Sequence, residues 1–172
     1  PIGIVRSAIV LISTGEKKQG ASTITMQLAR NFFLTREKAY IRKVKEIFIA
    51  LHIESILSKD EILELYLNKI ELGNRAFGIG AAAQVYYGKD LNELTLAQMA
   101  MIAGLPKAPS ALNPIRNPVR AKARRNVVLG RMYTEKYITQ AQYDEATSAP
   151  ITAKFHGAEI DVYAPYISEM VR

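Results

Sequence analysis

The apolar residues between positions 20 and 57 recur at helical spacing and predict two helices joined by a short aromatic and basic connector. Ile24, Leu28 and Phe32 fall on one face of the first helix. Four apolar residues of the second helix recur at the spacing that anchors a helix in a core: Ile41, Val44, Phe48 and Leu51. We therefore expect this face of the second helix to be buried.

A polar face accompanies the apolar one on the first helix. Ser22 or Thr23 can cap its N-terminus, because a hydroxyl oxygen accepts a hydrogen bond from a free backbone N–H. Gln27 and Arg30 follow Thr23 at i+4 and i+7, on the same side. A helix that begins with small and hydroxyl residues, with polar side chains behind them, can hold an anion at its N-terminus.

Capping signals predict where most later helices begin. Three capping boxes, each a Ser or Thr followed three residues later by Glu or Gln, start at Ser58, Thr95 and Thr139. Asn117 and Pro118 suit the N-cap and first position of a basic helix that ends near residue 132.

Two other regions complete the predicted fold. Residues 2–14 form a largely apolar helical stretch, followed by a polar connector at residues 15–20 that we expect to be mobile. Only residues 150–161 are typical of an extended segment. The predicted fold class is therefore all-α.

The composition of the chain limits which binding partners and which catalytic groups the protein can use. Lysine and arginine outnumber aspartate and glutamate by 23 to 16, so the surface favours phosphate groups, nucleic acid or an anionic membrane. The absence of cysteine excludes disulfides and thiolate catalysis. At 172 residues the chain suits one domain, and because it begins with Pro1 we expect it to be part of a longer protein.

Charged residues gather near the start of the second helix. Arg42, Lys43 and Glu46 lie within an arc of roughly 100°. Taken alone, this R-K-x-x-E pattern most often forms a solvated ion pair between Arg42 and Glu46, which are four residues apart. Its position among other motifs favours a functional role.

Three motifs occur in a specific order. G-A-S-T-I-T-x-Q-L-A-R-N spans residues 20–31, R-K-x-x-E residues 42–46, and K-x-x-I-L-E-L-Y-L-N residues 59–68. They resemble motifs two, three and four of the peptidoglycan glycosyltransferase domain of class A penicillin-binding proteins. Residues 124–132 are similar to the family's fifth motif, R-R-x-x-V-L-x-x-M. The resemblance implies that residues 1–172 form a lysozyme-like helical glycosyltransferase domain with a small membrane-leaning jaw subdomain.

The reaction implied by this resemblance is polymerisation of glycan chains from lipid II. A glycan linked to lipid pyrophosphate is transferred to the 4-hydroxyl of an acceptor disaccharide. A carboxylate takes the hydroxyl proton, and positive charge stabilises the departing pyrophosphate. The family places its general base in a first motif, E-D-x-x-F-x-x-H, which these 172 residues do not contain. We therefore expect the segment alone not to polymerise lipid II, and we expect a membrane anchor to precede it and a transpeptidase domain to follow it in the parent protein.

The family's site residues transfer onto matching positions of this sequence. Four would contact the pyrophosphate and the first sugar: Ser22, Thr23, Gln27 and Arg30. Three would neighbour the phosphates: Lys38, Arg42 and Lys43. Glu46 would be the second catalytic carboxylate. Arg30 stands where the family often has lysine, which keeps the charge but changes the hydrogen-bond geometry.

Cofactor, partner and location predictions follow from the same resemblance. No tightly bound cofactor is expected, although the family allows a divalent cation, Mg²⁺ or Mn²⁺, between the pyrophosphate and Glu46. The implied partners are lipid II, the growing glycan strand, the membrane surface and cell-wall synthesis proteins, but not nucleic acid. The implied location is the bacterial cytoplasmic membrane, with the domain on its extracytoplasmic face.

Several residues keep two interpretations. Phe32 and Phe33 either belong to the core or, beside Arg36 and Lys38, contact anionic lipid headgroups. Asn68 is expected to fix the loop after its helix, and Glu64 to be structural. Arg124 and Arg125 are expected to pair with carboxylates elsewhere in the fold.

Two other functions fit a basic helical domain. A lysozyme-like hydrolase would also place a glutamate in a sugar-binding cleft, but it would not need a cluster of cations around it. A non-enzymatic module that binds nucleic acid or membrane would bind any polyanion in a salt-dependent way. Such a module would explain neither the order of the motifs nor Glu46.

Overall fold

The computed structural model describes residues 22–33 and 39–157, without the side chains of residues 33, 39 and 40. The described chain forms seven α-helices, and its only β pairing is an isolated bridge between Glu71 and Phe77. The helices are α1 (Ile24–Phe33), α2 (Ala39–Ile56), α3 (Lys59–Lys69), α4 (Ile79–Tyr87), α5 (Leu96–Gly104), α6 (Pro118–Thr134) and α7 (Gln140–Ser148), with 3₁₀ turns at Leu91–Glu93 and Leu105–Lys107. The all-α prediction is confirmed for this part of the chain.

The predicted helix starts are found where the capping signals place them. At Ser58 the hydroxyl accepts from the Glu61 backbone N–H at 3.3 Å, and the Glu61 carboxylate accepts from the Ser58 N–H at 2.8 Å. The boxes at Thr95 and Thr139 have the same reciprocal bonds. Asn117 precedes α6 as predicted, although its side chain makes no capping bond. The predictions for residues 2–14 and 15–20 lie outside the described residues.

Two hydrophobic clusters hold the helices together. The larger cluster joins α1, α2, α3, α4 and the C-terminal part of α5 around the fully buried Leu28, Leu72 and Tyr86. The smaller one packs the start of α5 against α6 and α7 around Leu129. Because α5 contributes to both clusters, it links the two groups of helices. None of the described helices has the length and hydropathy needed to cross a bilayer.

The prediction that the apolar face of α2 belongs to the core is wrong. Four residues form an exposed apolar row, here called the α2 stripe, and their exposed fractions are 54% for Ile41, 53% for Val44, 68% for Phe48 and 46% for Leu51. The buried face of α2 instead carries Glu46, Ala50 and Ile53. Helical periodicity separates an apolar face of α2 from a more polar one, but it does not show which face is buried. The face that packs against α1 is the one with the small Ala50 and the ion-paired Glu46.

On α1 the apolar face is also only partly buried. Leu28 is buried, whereas Ile24 and Phe32 are exposed. The polar Thr25 is buried instead, because its hydroxyl donates to Glu54 of α2 at 2.7 Å. This bond joins α1 to α2 two turns beyond Glu46.

Candidate active site

The two hydroxyl residues before α1 have different roles. Thr23 is the N-cap, since its Oγ1 accepts from the Met26 backbone N–H at 3.2 Å. Ser22 faces α2, where its Oγ accepts from Lys43 Nζ at 2.7 Å. The start of α1 is thus fixed against α2 by a lysine.

Glu46 is the centre of the candidate site. It is only 3% exposed, and three cationic side chains lie within 4.0 Å of its carboxylate. Lys43 Nζ donates to Oε2 at 2.8 Å, while the Nε atoms of Arg42 and Arg30 lie 3.5 and 4.0 Å from Oε1. A buried carboxylate is costly unless it is paired, and three cations from two helices supply that pairing.

The cations remain accessible although the carboxylate does not. The side chains of Arg30, Arg42 and Lys43 are 57%, 31% and 44% exposed, against 4% for Glu46. Three positive groups around one negative group leave a net charge of +2. An incoming anion would therefore meet the cations first.

Arg42 also carries an unused donor. Its Nε is buried and has no hydrogen-bond partner in the described part of the chain, because Glu46 Oε1 is too far away for one. Buried donors without partners are rare in folded proteins. An anionic oxygen placed between Arg42 and Arg30 would satisfy this donor.

Gln27 extends the polar face of α1, and Tyr66 of α3 orients it. The Tyr66 hydroxyl donates to Gln27 Oε1 at 3.2 Å, and Tyr66 is buried. Its oxygen is engaged by Tyr66, and among the described residues no partner is found for the Gln27 Nε2 hydrogens, which can donate beside Arg30, one turn along the same helix. Burial raises the pKa of Tyr66, which keeps the hydroxyl protonated as a donor.

The predicted site residues are therefore brought together in large part. Arg30, Arg42 and Lys43 meet at Glu46, and Ser22 joins them through Lys43. Lys38 lies outside the described residues. Tyr66 was not predicted as part of the site, although its place in the Y-L-N motif was the available signal. The chemical roles of these residues remain predictions.

Within the described part of the chain, Arg124 and Arg125 bond to backbone carbonyls and no carboxylate partner is found for them. Arg124 Nε donates to the Gly104 carbonyl at 3.3 Å, and Arg125 donates to the carbonyls of Thr147 and Ala149, each at 2.9 Å. The last carbonyls of a helix have no partner within it, and a buried guanidinium can satisfy several of them. These arginines therefore join the ends of α5 and α7 to α6.

The remaining predictions concern exposed positions. Phe32 is exposed with Lys69 Nζ 5.1 Å from its ring centroid, whereas the side chain of Phe33 lies outside the described residues. Glu64 and Asn68 are exposed on α3. The Asn68 carbonyl lies so close to Gly78 that a Cβ there would be 2.6 Å away, so Asn68 contacts the following loop through its backbone.

The divalent cation that the resemblance allows between the pyrophosphate and Glu46 stays a prediction. No group of three or more His, Cys, Asp and Glu side chains among the described residues could hold a metal ion without the substrate as a ligand. The only carboxylate of the cation cluster, Glu46, already faces three cations that would repel a divalent ion. We derive no chemical step through a metal.

Comparison with known proteins agrees with the motifs. Residues 1–133 match the family model described as Transglycosylase. The chain is 63% identical to penicillin-binding protein 1A of Vibrio cholerae over 172 residues. The aligned region covers 100% of this chain and 21% of that protein. For penicillin-binding protein 1A of Escherichia coli the identity is 61%, over 100% of this chain and 20% of that protein.

A solved structure shows the same fold. The crystal structure of penicillin-binding protein 1A from Haemophilus influenzae matches with a TM-score of 0.57 and 47% identity, covering 87% of this chain and 19% of that one. The chain spans about a fifth of the length of the curated relatives it matches. On the family match over residues 1–133, supported by these identities, the chain belongs to the transglycosylase family.

Proposed function

We propose that this chain is part of the domain with which its parent protein polymerises peptidoglycan from lipid II, by transferring a glycan linked to lipid pyrophosphate to the 4-hydroxyl of an acceptor disaccharide. The observation that supports the proposal is the cluster at Glu46, in which three accessible cations from two helices surround one buried carboxylate. Transfer of the glycan breaks its bond to the pyrophosphate, and negative charge grows on the leaving group. Positive groups held in place before the reaction stabilise that charge.

Each residue of the cluster has a distinct part in this proposal. Arg30 and Arg42 bind pyrophosphate oxygens, and Arg42 does so through its Nε, which has no hydrogen-bond partner among the described residues. Lys43 attracts the phosphates as a point charge. Gln27 donates from its amide to the pyrophosphate or the first sugar. Glu46 holds the three cations in register. Because it is buried and bonded to Lys43, we assign removal of the acceptor proton to the family's first motif.

A membrane surface is the partner that the exposed apolar residues favour. Phe32 lies beside Lys69, and the α2 stripe exposes four apolar side chains on the helix that carries Glu46. A lipid-linked donor must reach the cations from the bilayer, so apolar residues on the same helix would keep the site at the interface. The extracytoplasmic face of the bacterial cytoplasmic membrane is the location where lipid II would be used.

The test is polymerisation of lipid II by the full-length parent protein. The variant R42A/K43A should reduce the rate by about 100-fold or more, since each removed donor to a developing anion costs roughly 10²-fold or more. A matched control, R120A/K122A, removes two exposed cations of α6 and should leave the rate unchanged. Equal rates for both variants would contradict the proposal. Cleavage of preformed glycan without polymerisation would instead indicate a hydrolase.

A further inference from the structure

A second polar contact joins α1 to α2 away from the cluster at Glu46. The Thr25 hydroxyl donates to Glu54 Oε1 at 2.7 Å. Thr25 is only 5% exposed, and Glu54 is half-buried. Neither residue takes part in the ion pairs of the cluster, so the contact has a separate task.

The bond between Thr25 and Glu54 is strong for a contact between side chains. It uses the only proton of the threonine hydroxyl, which in a helix can instead donate to a carbonyl one turn earlier. A hydroxyl that donates to a carboxylate forms a short, charge-assisted bond. Because Thr25 is buried, breaking the bond would leave its hydroxyl without a partner. The contact therefore fixes the place of Thr25 against α2.

Apolar packing does not fix the register of α1 on α2 in the same way. Each helix has a fully buried alanine, Ala29 on α1 and Ala50 on α2. Apolar burial is non-directional, and alanine side chains form only low ridges for a neighbouring helix to lock into. Hydrogen bonds, which are directional, are therefore needed to set how far α1 lies along α2.

The other polar contacts between these two segments restrain α1 less tightly. Lys43 Nζ donates to Ser22 at 2.7 Å, but Ser22 precedes α1 and the lysine has a flexible four-carbon stem. Arg30 Nε lies 4.0 Å from Glu46 Oε1, which is too far for a hydrogen bond. The threonine–glutamate bond, by contrast, begins on α1 itself and ends on α2 at 2.7 Å.

A small shift of α1 would move Arg30 out of the cluster. Arg30 lies roughly 7.5 Å along the helix axis from Thr25, and a slip by one residue would displace it by about 1.5 Å. Its Nε is already 4.0 Å from Glu46 Oε1, at the outer limit of an ion pair. A misplacement of about 1 Å can lower the rate of a reaction by about 100-fold. The position of α1 therefore matters for any reaction that uses Arg30.

We propose that Thr25 and Glu54 are positioning residues for the transfer reaction. Their hydrogen bond holds α1 in the place where Arg30 faces the same pyrophosphate as Arg42 of α2. The inference rests on the proposed function, because it concerns the two arginines that bind the leaving group there. The two carboxylates of α2 then have different tasks. Glu46 contacts the cations directly, whereas Glu54 acts on one of them through the backbone of α1.

A double-mutant cycle in lipid II polymerisation by the full-length parent protein tests the proposal. T25V keeps the branched shape but removes the hydroxyl, and it should lower kcat/KM about tenfold. T25S keeps the hydroxyl and should stay within about twofold of the wild-type protein. R30A alone should lower kcat/KM by about 100-fold. Adding T25V to R30A should cost less than about a further twofold, because no guanidinium remains to be positioned.

The matched control is T147V. Thr147 is also a helical threonine with a bonded hydroxyl, which donates to the Tyr143 carbonyl at 2.8 Å within α7, and α7 supplies no residue to the cluster. T147V should keep the wild-type kcat/KM. If circular dichroism shows that T25V does not fold, E54Q replaces it. E54Q leaves a neutral acceptor on a half-buried side chain and should lower kcat/KM about threefold, again only when Arg30 is present.

Two outcomes would overturn the inference. A wild-type kcat/KM in folded T25V would show that the bond does not serve the reaction, and it would leave the proposed function standing. The same fold loss from T25V with and without Arg30 would show that the bond has a structural role alone. A wild-type full-length protein that does not polymerise lipid II would overturn the proposed function and this inference with it.

Discussion

The cluster at Glu46 and the two loops that carry Arg75 and Arg116 each have basic residues near one buried polar side chain, which is Glu46 in the first and Asn113 in the second. These two side chains differ in charge. Glu46 contacts Lys43 at 2.8 Å and offsets part of the positive charge that it organises. Asn113 is neutral and organises its two loops through backbone and side-chain amides. Glu46 therefore reduces the repulsion among the three cations around it, whereas Asn113 adds no charge beside Arg75 and Arg116.

This difference indicates different tasks. A leaving group whose charge grows during a reaction needs a dense group of cations, and dense cations need a carboxylate among them. A neutral amide that joins two loops needs only hydrogen-bond partners at fixed positions. Removing each central side chain in turn should separate the two sites.

The largest effect is expected for E46Q. The substitution keeps the shape of the side chain but leaves Arg30, Arg42 and Lys43 without a counter-charge. We expect the free energy of unfolding to fall by roughly 2–4 kcal/mol, since breaking a buried pair from one side is costly. Lipid II polymerisation by the full-length protein should fall by about 100-fold or more. Chemical denaturation and a polymerisation assay measure the two effects.

The matched control for E46Q is E64Q, because Glu64 is an exposed carboxylate on the neighbouring helix α3. It should change the free energy of unfolding by less than about 0.5 kcal/mol. Near-normal polymerisation by a folded E46Q protein would show that the carboxylate does not organise the cations.

The next effect is expected for N113A. The truncation leaves the N–H groups of Ile115 and Arg116 without their acceptor and Asn74 Oδ1 without its donor. We expect the free energy of unfolding to fall by about 1–3 kcal/mol, the cost of unpaired buried polar groups. Chemical denaturation measures this loss.

The matched comparison for N113A is N117A, since Asn117 is the neighbouring asparagine and its side chain makes no capping bond. It should change the free energy of unfolding by less than about 0.5 kcal/mol. Equal stability of N113A and N117A would show that the Asn113 amide does not hold the two loops together.

These two central residues also show how far the sequence could predict the structure. Capping boxes at Ser58, Thr95 and Thr139 predict helix starts because they depend on side chains three residues apart. The motifs predict which cations meet at Glu46, since family resemblance carries information on distant contacts. The burial of Glu46 could not be predicted in the same way, because only the packing of α1 on α2 buries it.

The same limit explains why the contact between the loops at Asn74 and Asn113 was not predicted. Gly73 signals a turn, but nothing in an Asn-Arg pair signals two further residues of positive φ. Asn113 precedes a proline and is typical of an ordinary turn residue. Its hydrogen bond to Asn74 joins residues that are 39 positions apart in the sequence. Patterns within a short stretch of sequence do not indicate which distant residues contact each other.

A smaller effect is expected for Y66F, which sharpens the description of the Glu46 site. The variant removes the 3.2 Å bond to Gln27 and keeps the buried ring. The free energy of unfolding should fall by about 0.5–1.5 kcal/mol. If the bond orients the Gln27 amide toward the donor, KM for lipid II should rise about threefold to tenfold with little change in kcat.

A double-mutant cycle separates this role from a purely structural one. The effect of Y66F on KM should vanish in a Q27A background, since Tyr66 would then have no amide to orient. Additive effects on KM would show that Tyr66 acts on stability alone.

The smallest effect on stability is expected for F48S in the α2 stripe. Phe48 is 68% exposed, so its truncation removes little buried surface, and the free energy of unfolding should change by less than about 0.5 kcal/mol. Binding of the full-length protein to vesicles of phosphatidylglycerol and phosphatidylethanolamine should nevertheless weaken, because the ring would enter the interface. The matched control is V119S, since Val119 is 82% exposed on α6 and lies outside the stripe. A large loss of stability in F48S would restore the sequence prediction that this face belongs to a core, whereas equal vesicle binding by F48S and V119S would exclude the stripe as the membrane contact.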